Sequence, residues 1–351
     1  MDQIKGITGW KTGHDVMKIF MSFFLSLLPI WILGAIFLSG PIVFQWDDTL
    51  GLPVAIEGTK KQERTENWNT FSYGKFGLEA SDAQRAESKT SKYLLFGDSY
   101  VEANMVAPKD RIQARLSAMG LPCVGIGIVG GNCVEYNHLM DIYNHALANV
   151  HANILLIADI SDILPPNQEK DFKSQKITYQ FRKIEGRFGL LSYRLRLMAF
   201  RKILKNTELY FHHGIDYTGN HWCQKKKPKS NESNNMQNYE AYWRDMLHTL
   251  KATSPNGNLL IVYAPIVPHI HDNAILTINE DDEIFQHFEK VCHEFQLLGD
   301  GVLNLGNLFC EYTRTTYRFP RGFFNTPPGE GHLNAEGHRI VADAIAKVLQ
   351  K

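Results

Sequence analysis

Cysteine is scarce in this chain: Cys123, Cys133, Cys223, Cys292 and Cys310 are the only five among 351 residues, and no two form a Cys-x-x-Cys pair. That excludes a disulfide-built scaffold and a thiolate zinc module, both of which need closely spaced pairs. Net charge is absent as well, with 37 basic residues against 37 acidic ones, so charge balance gives no reason to expect a nucleic-acid partner. Nor is the composition that of a disordered chain: 44% hydrophobic and 21% charged residues suffice for one large core or two small ones.

One further absence is local. No charged residue occurs between Lys18 and Asp47, and Ile19 to Leu38 is apolar almost throughout. A membrane-spanning helix needs about 20 such residues, whereas the apolar part of a cleaved signal peptide is usually about 7–15. The small-residue cleavage motif that a signal peptide requires is poorly supplied by Leu38-Ser39-Gly40-Pro41. We therefore expect an uncleaved signal anchor over 19–44. Lys5, Lys11 and Lys18 outnumber Asp2 and Asp15 in the leader, residues 1–18, which keeps it cytoplasmic and sends the remainder outward. The expected localisation is a single-pass inner-membrane protein with its main domain in the periplasm or otherwise outside the cytoplasm.

After a polar, Gly- and Pro-broken stretch at 45–90, read as a linker with a short peripheral segment, the pattern changes. Apolar runs at 92–97, 122–128, 153–158, 257–264 and 301–305 alternate with helical stretches near 109–119, 133–149, 239–252, 283–297 and 335–350. That alternation predicts a five-stranded parallel sheet wrapped by helices, an α/β domain over 91–351. Asn334 is placed to cap the last helix, whose apolar face is Ile340, Val341, Ala344, Ile345, Val348 and Leu349. Residues 163–238 break the alternation and are too long for a loop, so they read as an inserted cap. Between 163 and 229 there are fifteen Lys and Arg against five Asp and Glu, a local +10 that leaves −10 on the rest of the chain. Such a segment favours anionic lipid or acidic polymer, or else is a solvated helix face and a Lys-rich loop.

Three places carry chemistry. The first strand breaks into Gly97-Asp98-Ser99, which presents a serine hydroxyl at the carboxyl edge of the sheet. A serine needs a base to take its proton, and of fourteen histidines only His332, in Gly329-Glu330-Gly331-His332-Leu333-Asn334, sits in a loop leading into a helix at that same edge. Glu330 is the nearest acid that could orient it. The second strand ends in Gly130-Gly131-Asn132, where a backbone N–H can face an oxyanion, although a packing turn would use the same residues. His338 reads as packing. His212, His213 and His221 fall in the basic insert and are not read as ligands, so neither a metal nor a cofactor is expected.

The ordered set of Gly97-Asp98-Ser99, a glycine after strand two, a polar pair after strand three, and an acid with a histidine before the last helix resembles the SGNH (GDSL-type) hydrolase superfamily, over residues 92–350. The resemblance implies a flavodoxin-like three-layer α/β/α fold, with Ser99 as nucleophile, His332 as base, Glu330 as acid, and Ser99, Gly130 and Ser161 around the oxyanion. Two positions depart from the family pattern. Ser161, in Asp159-Ile160-Ser161-Asp162, stands where an Asn is usual, and Gly329 stands where the acid is usual. The expected activity is that of a serine esterase or O-acyltransferase acting on an acylated envelope glycan or lipid. The alternatives are an inactive glycan-binding or scaffold protein of the same fold, favoured by the two departures, and a lipase whose cap docks on the membrane.

Overall fold

The computed structural model describes residues 44–63, 66–147, 149–165, 222–223, 233–271, 274–278, 282–299, 301–324 and 326–351, together with 18, 21–23, 25 and 26. The expected anchor at 19–44 and most of the basic cap, including His212, His213 and His221, therefore lie outside the described residues. No helix among the described residues is long and apolar enough to cross a membrane.

The sheet uses the five apolar runs. Its strands are β5 (Tyr93–Gly97), β6 (Cys123–Gly127), β7 (Ala152–Ile157), β9 (Leu259–Tyr263) and β12 (Val302–Asn304). They lie in the order β12-β9-β7-β5-β6 and all pair in parallel. Every residue of β7 and β9 is buried, as expected of strands covered on both faces; all are apolar or aromatic except Asn153, whose amide donates to Ser254 Oγ at 3.4 Å. Side chains alternate across the sheet. Leu94, Phe96, Leu155, Ile157, Ile261 and Tyr263 enter one core, with Tyr136 and Met140 of α4 (Cys133–Ala146), Trp243 and Leu247 of α5 (Ser233–Thr253), and Phe285 and Phe288 of α6 (Asp282–Cys292). Leu95, Ile154, Leu156, Leu260 and Val262 enter the other, with Ile112 and Leu116 of α3 (Ile112–Ala118), Phe309 of α7 (Gly306–Thr316), and Val341 and Ile345 of α8 (Ala335–Leu349). Each fully buried Leu, Ile or Phe contributes roughly 1.5–3 kcal/mol, so these two apolar layers hold the sheet between its helices.

Chain direction across the sheet reverses between β5 and β7. In open α/β sheets that switch point opens a crevice outside the carboxyl ends of the strands. Two backbone bonds tie neighbouring strand ends together there. Ile128 donates its N–H to Gly97 O at 3.0 Å, tying the turn after β6 to the end of β5, and Ala264 donates to Ile157 O at 2.9 Å, tying the end of β9 to that of β7.

The segment expected to be a linker is built structure. β1 (Phe44–Asp47) pairs antiparallel with β2 (Leu52–Ala55), and β3 (Lys60–Glu63) with β4 (Asn69–Ser72). α1 (Ala80–Glu87) follows. Leu50, Leu52, Val54, Leu78, Ala83 and Ala86 are buried in the first of the two cores, which makes this region part of the globule. Its sequence hid this because β3 is all Lys, Gln and Glu and each strand is only four residues long. At the other end, the two residues Trp222–Cys223 (β8) pair with β11 (Ala274–Leu276), which pairs antiparallel with β10 (His269–His271).

Candidate active site

Ser99 is the first residue of a one-turn helix, α2 (Ser99–Glu102), that starts directly at the end of β5. Asp98 caps it: its Oδ1 accepts the Tyr100 N–H at 2.9 Å, while Oδ2 stands 3.4 Å from Ser99 Oγ. The Ser99 amide is one of the helix's initial N–H groups, which have no partner within the helix. Two glycines let this turn pack so closely. A Cβ on Gly127 would come within 2.2 Å of Glu102 N, and one on Gly97 within 2.6 Å of Val101 Cγ2.

The base reaches this turn from the far end of the chain. Asn334 caps α8 by accepting the Glu336 and Gly337 N–H groups, and its own amide donates to Phe319 O and Gly322 O. Gly322 donates in turn to His332 O at 2.9 Å. These bonds hold His332 so that its Nε2 lies 2.9 Å from Ser99 Oγ. Tyr100 lies against the imidazole, ring centroids 4.9 Å apart, and the buried Arg321 guanidinium covers Tyr100 at 4.9 Å.

The acid differs from the one expected. Glu66, in the turn of the β3–β4 hairpin, accepts from His332 Nδ1 at 2.8 Å through Oε1 and from the His332 backbone N–H at 3.1 Å through Oε2. Glu330 is exposed, and among the described residues its side chain has no hydrogen bond. The reason lies in the backbone: Gly329 and Gly331 both have positive φ, +80° and +84°, and turn the loop sharply on either side of residue 330. Sequence proximity to His332 therefore does not become side-chain proximity. A Cβ on Gly331 would lie 3.0 Å from Glu66 Oε2, so glycine there leaves room for the carboxylate. Nothing local in the sequence marks Glu66, which meets its partner across 266 residues. The available signal was the alternation of Phe71 and Tyr73 about polar neighbours, enough to raise a strand and hence a hairpin at this place.

Because a carboxylate only accepts, Nδ1 must carry a proton, and in the neutral ring Nε2 is then the acceptor facing the serine hydroxyl. Ser99, His332 and Glu66 thus form one continuous hydrogen-bonded relay, the arrangement that activates a serine. Gly130 and Ser161 lie on loops of the same sheet edge, both exposed; no hydrogen bond among the described residues joins either to Ser99 or His332. The Ser161 N–H donates to Asp159 Oδ1 at 2.8 Å. His338 is buried, and its Nδ1 accepts the Ile112 N–H at 3.3 Å. Burial, with Arg111 and Arg115 nearby, holds its imidazole down at about 3. Cys123, Cys133, Cys292 and Cys310 are buried free thiols, and no described group of three or more His, Cys, Asp or Glu could hold a metal ion.

Beneath the site sits a second carboxyl. Asp162 accepts N–H bonds from Ala158 and Asp159 and the Tyr136 hydroxyl, and it is buried. Burial and then the charge of Asp98 push it up to about 8. An unfolded Asp titrates near about 3.9, so between about pH 4 and pH 8 the folded state holds a proton that the unfolded chain has lost, and stability falls as pH rises, by at most about 1.4 kcal/mol per unit. Asp162→Asn keeps the shape and can donate to the Tyr136 oxygen. Urea unfolding at about pH 5 and about pH 8 is expected to show a smaller stability loss in the variant than in the parent; an equal loss would mean that Asp162 is not the group responsible.

No protein-family model matches the chain, and no curated protein matches it. The functional reading therefore rests on the site itself.

Proposed function

We propose that the protein is a serine esterase or O-acyltransferase of the SGNH type, acting on oxygen esters. The observation that carries this is the Ser99–His332–Glu66 relay at the switch point of a parallel sheet. Ser99 Oγ attacks the ester carbonyl as its proton passes to His332 Nε2, and Glu66 stabilises the imidazolium and keeps the ring in place. The Ser99 and Gly130 N–H groups and the Ser161 hydroxyl are the proposed donors to the oxyanion. His332 then gives the proton to the departing alkoxide oxygen. The acyl group remains on Ser99 until water, or a hydroxyl of a second molecule, accepts it.

The substrate class follows from the rest of the chain. With an apolar segment at 19–44 as anchor and a strongly basic insert, the enzyme would work outside the cytoplasmic membrane on acyl groups, acetyl among them, of an envelope glycan or lipid. Incubating the full chain in detergent with an aryl acetate, with and without a polysaccharide acceptor, separates the two reactions. A hydrolase releases acetate at the same rate in both; a transferase releases aryl alcohol faster with acceptor and leaves acetyl esters on the glycan. Folded protein that releases no aryl alcohol under either condition would favour a binding module over an enzyme.

A further inference from the structure

The two halves of the relay come from elements that touch at one further place. Beneath α2 and β4 lies a cavity of about 90 Å3, lined among others by Tyr73, Glu79, Glu102, Asn104, Arg111 and Gln113. Three side-chain atoms of its lining residues, Arg111 Nη2, Asn104 Oδ1 and Gln113 Oε1, are buried and have no hydrogen-bond partner. Its lining is rich in acceptors, which disfavours an anion, and a polar space of this size holds water. Arg111 is only 2% exposed. Its guanidinium lies 4.6 Å from the centre of the Phe71 ring in β4, and its Nε donates to Val106 O at 3.2 Å. Burial pulls the guanidinium below its ordinary value, against the nearby carboxylates Glu79, Asp82 and Glu102, none of which forms an ion pair with it among the described residues.

Val106 O has a second donor. Asn69 at the start of β4 gives its amide to both Val106 O, at 2.8 Å, and Asn104 O, at 2.9 Å, and Asn67, next to Glu66, gives its amide to Met105 O at 2.9 Å. The acid-bearing turn is thus fastened to the 104–106 loop, which follows the nucleophile helix directly, and Arg111 grips both the loop and the hairpin. Lys61 of β3 and Glu102 of α2 pair at 3.7 Å across the same junction. We infer that Arg111, through this junction, is a positioning residue that sets Glu66 against His332 and Ser99. It does so without touching any of the three.

The inference rests on the proposed reaction for its kinetic readout and on geometry for its second one. In the full chain, Arg111→Met is expected to lower kcat for an aryl acetate roughly 10–100-fold, the cost of a small misplacement of a reacting group, with KM changed by less than about threefold. Combined with Glu66→Gln, it should cost no more than about twofold further, because its effect runs through Glu66. Multiplying losses, or an unchanged kcat in Arg111→Met, would overturn the inference. If Arg111→Met does not fold, Asn69→Ala, which removes two hydrogen bonds from the same junction, takes its place in the cycle with the same expectation. The second readout is the downfield proton resonance of His332 Nδ1 in its bond to Glu66. It should be present in the parent and weakened or lost in Arg111→Met as in Asn69→Ala; if it persists unchanged in Arg111→Met, Arg111 does not position the acid. A parent with this resonance but with no ester turnover would instead count against the hydrolase reading alone.

Discussion

Ser99→Ala and His332→Ala are each expected to lower ester turnover by about 10⁴-fold or more, and the double variant to be scarcely worse than either single one. The physical reason is that a serine hydroxyl and a neutral imidazole 2.9 Å apart act as a unit. Without the imidazole the hydroxyl keeps its proton, and without the hydroxyl the imidazole has nothing to deprotonate. Neither change should unfold the protein, since both side chains face the crevice and the two apolar cores do not depend on them. Rates of aryl acetate hydrolysis, with circular dichroism as a check on folding, measure this. Independent, multiplying losses in the double variant would mean that the two residues act in separate steps.

Glu66→Gln is expected to reduce kcat by roughly 10²–10⁴-fold while leaving KM nearly unchanged, whereas Glu330→Gln should stay within about twofold of the parent. A glutamine at 66 is still able to receive the Nδ1 proton bond through its oxygen, but it carries no charge to stabilise the imidazolium. It is equally free to present its NH₂ and force the ring into the wrong tautomer. The backbone bond from His332 N to Glu66 Oε2 adds a second point of attachment that a shorter acid would strain to reach, so Glu66→Asp should recover only part of the rate. Glu330 is exposed, and nothing in its surroundings links it to the imidazole. The reverse pattern, with Glu330→Gln inactive and Glu66→Gln active, would return the acid to the position suggested by its closeness to His332 in sequence.

That contrast between Glu66 and Glu330 also marks how far the sequence could be read. The sheet was legible because a strand buried on both faces is mostly a run of apolar residues, as Ile154–Ile157 and Leu259–Tyr263 are. Ser99 and His332 were legible for a related reason: each sits where a run ends or a helix begins, and a parallel sheet sends all such places to one edge. Helix α8 and its Asn334 cap follow from the same local rules. Glu66 obeys none of them. Its hairpin is two four-residue strands, one of them wholly polar, and its function depends on tertiary contacts with a loop and a histidine far along the chain. The pairing with Glu330 failed because two left-handed glycines turn that side chain away, a backbone fact that the residue spacing does not encode. Helix α7 was missed too, its pattern starting at Gly306 directly after the last strand, without a side-chain cap to announce it.

Ser99, His332 and Glu66 have different standing in a chemical test, and the serine is the one that a reagent can report directly. The central claim is that Ser99 is an activated nucleophile. Treating the full chain in detergent with a fluorophosphonate probe and locating the adduct by mass spectrometry tests it in one step. A single adduct on Ser99 is expected, formed much more slowly in His332→Ala and at an intermediate rate in Glu66→Gln. Folded protein with no adduct on Ser99, or with Ser99 labelled equally fast in the parent and in His332→Ala, would contradict it.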